Sequence, residues 1–167
     1  LIDTGGKVIL EPLYDMVKDF SNGLAWVRTS EKWGLIDTEG KEIIQPIYDE
    51  VGDFYYDRAW VSANGRWGLV DTKGKEIIQP IYDEVGDFSN GHAWVNLNDE
   101  WKLINTYGKI IIEHSFNHFT KFSNGHAWLY SGEIADKFKT NQIGQWNRID
   151  TTGKVLIHSI FNYNKDF

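Results

Sequence analysis

The sequence predicts an all-β protein, tandem 34-residue β-meanders joined in an open, twisted, superhelical array of four and a half repeats. The first observation is a returning segment. Lys32-Trp33-Gly34-Leu35-Ile36-Asp37-Thr38-Glu39-Gly40-Lys41 recurs 34 residues later as Arg66-Trp67-Gly68-Leu69-Val70-Asp71-Thr72-Lys73-Gly74-Lys75. Variants follow at residues 100–109, with Asn105 for aspartate, and at residues 145–154, and the chain opens inside another copy at residues 1–7. The second is the local pattern. Helix-pair repeats share this period, but no window carries apolar residues at i, i+3, i+4 and i+7; the apolar runs are short, aromatic and β-branched, and end in turn residues. The third is length. A closed propeller-like ring is the alternative, yet its blades usually take about 40 to 45 residues. The last repeat also stops before its Ala-Trp-Val strand while Leu1 starts after it, so the two ends do not complete one blade.

The repeats divide as residues 1–34, 35–68, 69–102, 103–147 and a partial 148–167, expected to form one repeat domain. Within a repeat, residues 33–37 read as a strand and Asp37-Thr38-Glu39-Gly40 as a tight turn, where aspartate bonds its own downstream backbone and glycine tolerates positive φ. Positive φ is therefore expected at Gly40, Gly74, Gly108 and Gly153. Residues 42–45 return as a strand ended by Pro46, which cannot donate to a ladder. Residues 48–54 are irregular or a short strand, and Ser89-Asn90-Gly91 marks the following turn. Residues 24–28 form the last strand, leading through a five-residue loop to the next tryptophan. Later copies depart from this plan: proline gives way to His114 and Ser159, tyrosine to Phe116 and Phe161. The connection at residues 130–145 grows by 11 residues and reads as a surface loop.

Composition narrows the function classes. The 167 residues are 41% hydrophobic and 15% aromatic, which excludes disorder. A net charge of −7 with dispersed Lys and Arg offers no phosphate-neutralising footprint, so no nucleic-acid partner is expected. No apolar run approaches the roughly 18 residues of a membrane helix, so no membrane insertion is expected, and no signal-peptide pattern is present. With no cysteine there is neither disulfide nor thiolate chemistry, and the compartment stays open.

The column set Lys-Trp-Gly-Leu-Ile-Asp-x-x-Gly-Lys, then Ile-Ile-x-Pro-x-Tyr-Asp and Phe-Ser-x-Gly-x-Ala-x-Val, resembles the bacterial WG-repeat (KWG-repeat) family over essentially the whole chain. Trp33-Gly34 and Trp67-Gly68 carry the naming dipeptide, while Trp101-Lys102 and Trp146-Asn147 depart from it. The resemblance implies short strands in each repeat and a binding or sensing role, often in envelope or secreted proteins. It implies no common enzyme activity and no catalytic residues.

The side chains that could carry chemistry are few. His92 and His126 share a column, and His114 and His118 lie four apart; both read as solvated surface histidines rather than metal ligands. Asp49-Glu50 with Asp53, and Asp83-Glu84 with Asp87, match no known calcium-loop spacing and read as a solvated acidic face. A catalytic carboxylate pair is needed once, whereas these recur. No nucleophile elbow, phosphate loop or CxxC occurs, so neither enzyme activity nor a cofactor or metal is expected.

The tryptophans are more informative. Ala25 and Val27 head columns that stay small and apolar, whereas the neighbours of Trp26, Trp60, Trp94 and Trp128 vary widely. Packing between repeats is the first reading of those four indoles; as the second reading they are the candidate ligand-binding residues, a row of stacking platforms. Trp33, Trp67, Trp101 and Trp146, beside apolar neighbours, are expected in the core. The function expected is a non-enzymatic scaffold recognising a protein or an envelope glycan, with a spacer or filament-forming array as the alternative. Its partner would be a protein, a polysaccharide or further copies of the chain.

Overall fold

A computed structural model describes residues 14–112, 116, 118–131 and 141–164. It is all-β, with no helix among the described residues. Among the described residues sixteen strands form four antiparallel sheets of four, each ordered as the chain runs. Sheet one holds β1 (Met16–Val17), β2 (Leu24–Thr29), β3 (Lys32–Asp37) and β4 (Glu42–Tyr48). Sheet two holds β5 (Glu50–Val51), β6 (Arg58–Ala63), β7 (Arg66–Asp71) and β8 (Glu76–Tyr82). Sheet three holds β9 (Glu84–Val85), β10 (His92–Leu97), β11 (Glu100–Asn105) and β12 (Ile110–Ile112). Sheet four holds β13 (His118–Phe119), β14 (His126–Ser131), β15 (Asn141–Asp150) and β16 (Val155–Asn164). The chain divides into two compact units, residues 1–83 with sheets one and two and residues 84–167 with sheets three and four.

The sheets are out of phase with the sequence repeats. Asp49 alone separates β4 from β5, so the doubtful strand at residues 48–54 proves to be two residues that begin a new sheet. The repeat at 35–68 is thereby cut between sheets one and two. The turn logic holds: Asp37 Oδ1 accepts from the backbone N–H groups of Glu39 and Lys41, both at 2.9 Å. Asn105 Oδ1 accepts from Tyr107 and Lys109 at 3.0 Å, so asparagine serves because only one carbonyl-like oxygen is used. Gly40, Gly74, Gly108 and Gly153 have φ of 81°, 79°, 76° and 80°, as expected.

Two connections differ from expectation. Between β2 and β3 the link is a two-residue hairpin, Ser30-Glu31, with φ of 49° and 67°; Asn64-Gly65 repeats it at 54° and 72°. Two positive φ values match the right-handed twist of the strands. Strand β4 also runs through Pro46 to Tyr48. It is an edge strand, so the missing N–H removes no ladder bond.

The Trp-Gly dipeptide has a backbone cause. Trp33 pairs with Tyr48 and Leu35 with Ile44, so Gly34 alone faces three residues of β4, which bulge across it. A Cβ on Gly34 would lie 2.6 Å from the Ile44 carbonyl oxygen, and one on Gly68 2.6 Å from that of Ile78. Only glycine admits so close a backbone.

Directly opposed residues share a face of a sheet, and the register pairs Trp26 with Leu35 and Arg28 with Trp33. One face of sheet one is therefore large and aromatic; the other carries Ala25, Val27 and Ile36. In the first compact unit the aromatic face of sheet one (Trp26, Leu35, Ile44, Tyr48) packs on the small face of sheet two (Ala59, Val61, Val70). The second unit repeats this arrangement with Trp94, Leu103 and Ile112 against Ala127, Leu129 and Ile149. Large side chains on one sheet fill the space left by small ones on the next.

Candidate functional site

Of the two readings of the Trp26 column, packing holds, and no row of stacking platforms exists as an exposed surface among Trp26, Trp60 and Trp94. Trp26, Trp60 and Trp94 are only 3%, 7% and 5% exposed. Burying an indole contributes roughly 4–6 kcal/mol by area, more than weak stacking to a ligand returns. Sheet-on-sheet packing therefore wins, and Trp26 and Trp94 each staple together the two sheets of their own unit. Trp128, on sheet four, is half-buried. The column expected in the core is likewise corrected: Trp33, Trp67, Trp101 and Trp146 are half-buried. Both columns lie on the same face, but Trp33 sits one pair nearer the strand ends, with Lys18 Nζ 5.4 Å and the Arg28 guanidinium 5.9 Å from its ring centre.

The repeated polar residues have structural partners. Asp49 pairs with Lys32 and accepts at 2.8 Å from the backbone N–H of Asn64, closing the hairpin of sheet two; the Lys32 hydrogen bond, then that of Asn64, holds its carboxyl below the usual range. Asp15 accepts from Ser30 N at 3.0 Å, and Asp83 lies 3.3 Å from Arg66. Asp150 is lowered too, first by the Thr152 hydroxyl. The described residues contain no group of three His, Asp or Glu side chains arranged to hold a metal. His92 lies against Phe122, with ring centres 5.5 Å apart, and His118 against Tyr130; His114 falls outside the described residues.

A tyrosine clasp crosses the first sheet junction. Tyr48 Oη donates to Glu76 Oε1 at 3.0 Å, and Tyr14 donates to Glu42 at 3.3 Å. Burial, then the Glu76 hydrogen bond, pushes the Tyr48 phenol well above its ordinary value. At the junction of sheets three and four the same columns hold Phe116 and Val155, and no such bond can form. These two residues instead line a cleft of about 520 Å³ with Ile110, Ile112, Leu129 and Ile149.

Two features escaped the sequence reading. The turn Ser-Asn-Gly, present at residues 21–23, 89–91 and 123–125, is replaced by Tyr55-Tyr56-Asp57, followed by Arg58. Tyr56 takes φ of 56° there and is 77% exposed, while Asp57 pairs with Arg58 at 2.6 Å. The signal was visible, because this is the one aromatic turn in that column. The second feature is a cleft of about 580 Å³ at the junction of sheets one and two, lined by Lys18, Asp19, Phe20, Trp26, Asp53 and Phe54. The expected surface loop at residues 130–145 is partly strand, because β15 begins at Asn141 and pairs along its length with β16.

Comparison with known proteins follows the same pattern. The family model described as "WG containing repeat" matches residues 1–33, 33–67, 67–101 and 103–130. No curated protein matches the chain. Among solved structures, the extracellular domain described as a hybrid two-component system of B. thetaiotaomicron is similar at 14% identity and TM-score 0.40, covering 88% of this chain and 22% of that one. The N-terminal domain of Nup159 is similar at 13% identity and TM-score 0.44, covering 90% and 48%. A chain of an S. cerevisiae assembly of Dbp5, Nup159 and Gle1 gives 12%, 0.43, 90% and 47%. The chain thus spans under half the length of each, and scores this low transfer no role.

Proposed function

The chain belongs to the family of WG-containing repeats, and from that premise we propose that it is a non-enzymatic interaction scaffold recognising a protein or a glycan. The observation that carries this reading is the aromatic turn at residues 55–58. The Trp, Gly and turn-Asp columns are accounted for by packing, close backbone approach and hydrogen bonds, so selection for the fold explains them. Tyr56 is not explained in that way: an asparagine, as in the other copies, takes positive φ at less cost, and an exposed tyrosine adds nothing to the core. An aromatic tip held in a strained turn suits contact with a partner. The shifted carboxylates, Asp49 and Asp150, are lowered rather than raised, opposite to what a general acid requires.

The test is capture on the immobilised chain from glycan and protein arrays, with the variant Tyr55→Ser/Tyr56→Asn/Asp57→Gly as control. Binding that is lost in the variant while its melting temperature is kept or raised supports the reading. No capture by either protein defeats it, and equal capture by both overturns the part given to the turn.

A second reading, self-assembly, draws on β16, an edge strand of ten residues on which Val155, Leu156 and Ile157 are 37%, 44% and 39% exposed. Ser159 replaces the edge proline of sheets one and two, so one guard against strand pairing is missing. Light scattering that grows steeply with concentration, and falls in an Ile157→Lys variant, would favour it over the scaffold.

A further inference from the structure

The cleft between sheets one and two differs from its counterpart between sheets three and four in ways that leave it open. In the second compact unit Phe119 lies 4.5 Å from the Trp94 ring and His92 covers Phe122. The Trp94 indole N–H donates to the Thr120 carbonyl at 3.3 Å. In the first unit the matching positions hold Val51, much smaller than Phe119, and Leu24, which has no ring to lay over Phe54. There Trp26 stacks on Phe54 at 5.5 Å and 11°, and its indole N–H is buried with no acceptor among the described residues. Such a donor costs about 1–3 kcal/mol to leave unsatisfied, so a protein that keeps one beside a cleft has left a hydrogen bond for something else to make. The volume, about 580 Å³, is that of a small-molecule site.

We propose that this cleft binds a neutral saccharide residue, with Phe20 and Phe54 against its C–H face, Asp19 and Asp53 accepting from its hydroxyls, and the Trp26 N–H donating to a ring or hydroxyl oxygen. The inference rests on the scaffold reading and names one ligand for it. Charge selects the class. Asp19 and Asp53 repel an anion, and Lys18 already lies 3.6 Å from Asp53 and 3.4 Å from the Val51 carbonyl, where an incoming cation would meet it. A polyhydroxylated neutral ligand meets neither obstacle. Because the indole nitrogen is closed off without ligand, binding shifts the half-buried Phe54 ring, and the signal of the Trp26 N–H follows.

The experiment is a nuclear magnetic resonance titration of the full chain, following the eight indole N–H peaks. The Trp26 peak is the one missing from Trp26→Phe. Neutral mono- and disaccharides (glucose, galactose, N-acetylglucosamine, cellobiose, chitobiose) are added in one arm and a methylated lysine ester in the other. Saturable movement of the Trp26 peak in the saccharide arm is expected. Asp53→Asn, exposed and so harmless to folding, should weaken binding about tenfold, the loss expected for a hydrogen bond to a charged group. Leu24→His with Val51→Phe, which copies the filling at the other junction, should abolish it. A silent peak with every sugar, or movement with the lysine ester alone, overturns the proposal. Sugar binding untouched by the filled variant overturns the site and leaves the scaffold reading standing.

Discussion

Sheets two and four come from the same repeat, yet one bends at its edge and the other runs straight. In sheet two, Trp67 pairs with Tyr82 and Leu69 with Ile78, and β8 bulges over Gly68 with Pro80 on the bulge. In sheet four, pairing runs one-to-one from Asn141–Asn164 to Arg148–Ile157, with Asn147 in the glycine position and Ser159 in the proline position. Glycine and proline are thus parts of one device. At the proline the edge strand leaves the one-to-one register and crosses over its neighbour, and only glycine leaves room beneath it. Without the proline the hairpin extends straight, and a side chain fits where glycine was required. Tyrosine and glutamate, lost together as Phe116 and Val155, are a second linked pair.

The largest effect expected concerns the staples. Trp26→Ala removes an indole buried between two sheets and should cost about 3–5 kcal/mol, measured by chemical denaturation. Trp128→Ala, on a half-buried residue of sheet four, should cost less than half as much. Equal losses would mean that the two sheets bury this column alike.

Next comes the glycine. Gly68→Asn, which copies sheet four, sets a side chain 2.6 Å from a backbone oxygen that cannot swing aside. A loss of about 3 kcal/mol is expected, at the upper end for overpacking. A variant with wild-type melting would show that the bulge is not what demands glycine.

How much of this was legible in the sequence depends on whether a neighbour or a distant strand decides. Strands such as Lys32–Asp37 and the Asp37-to-Gly40 turn follow from residues beside one another, and both were readable. The burial of Trp26 was readable as packing between repeats, but the partial exposure of Trp33 was not, because a period of two gives alternation along one strand without saying which face of its partner it shares. The pairing of Arg28 with Trp33 puts both tryptophan columns on one face and leaves the Trp33 column, expected in the core, the more exposed of the two. The Asn64-Gly65 hairpin was written in the chain and hidden by the less typical Ser30-Glu31 in the aligned position. The cleft at Trp26 depends on Val51 being smaller than Phe119 and on Leu24 lacking the ring of His92, differences with meaning only once the sheets are stacked.

The tyrosine clasp sharpens the comparison at smaller scale. Tyr48→Phe should cost about 1 kcal/mol near neutrality, the net worth of one partly buried hydrogen bond. Its pH dependence has a definite sign. The folded phenol titrates above the unfolded value of 10.0, so its contribution is whole below about pH 10 and is lost as pH rises beyond. Wild type should therefore lose stability more steeply than Tyr48→Phe above pH 10, in parallel urea titrations. Identical slopes would place the clasp's ionisation outside the folded-state balance.

The smallest effect tests the straight sheet directly. A repeat protein invites repair toward its own consensus, and Asn147→Gly would restore the family dipeptide after Trp146. Here the repair should harm. Asn147 lies opposite His158 in an unbroken ladder, and its Oδ1 meets His158 Nδ1 at 2.7 Å. Glycine removes that contact and adds backbone freedom to the unfolded chain, worth about 0.5–1 kcal/mol in a strand interior. Nothing offsets it, because no bulging strand crosses position 147 to need the space. The expected outcome is a melting temperature lowered by a few degrees, while the same residue in the other direction, Gly68→Asn, costs several times more. If Asn147→Gly instead stabilises the protein, β16 must favour the bent path of β8, and the straight pairing of sheet four would owe nothing to the side chain at 147.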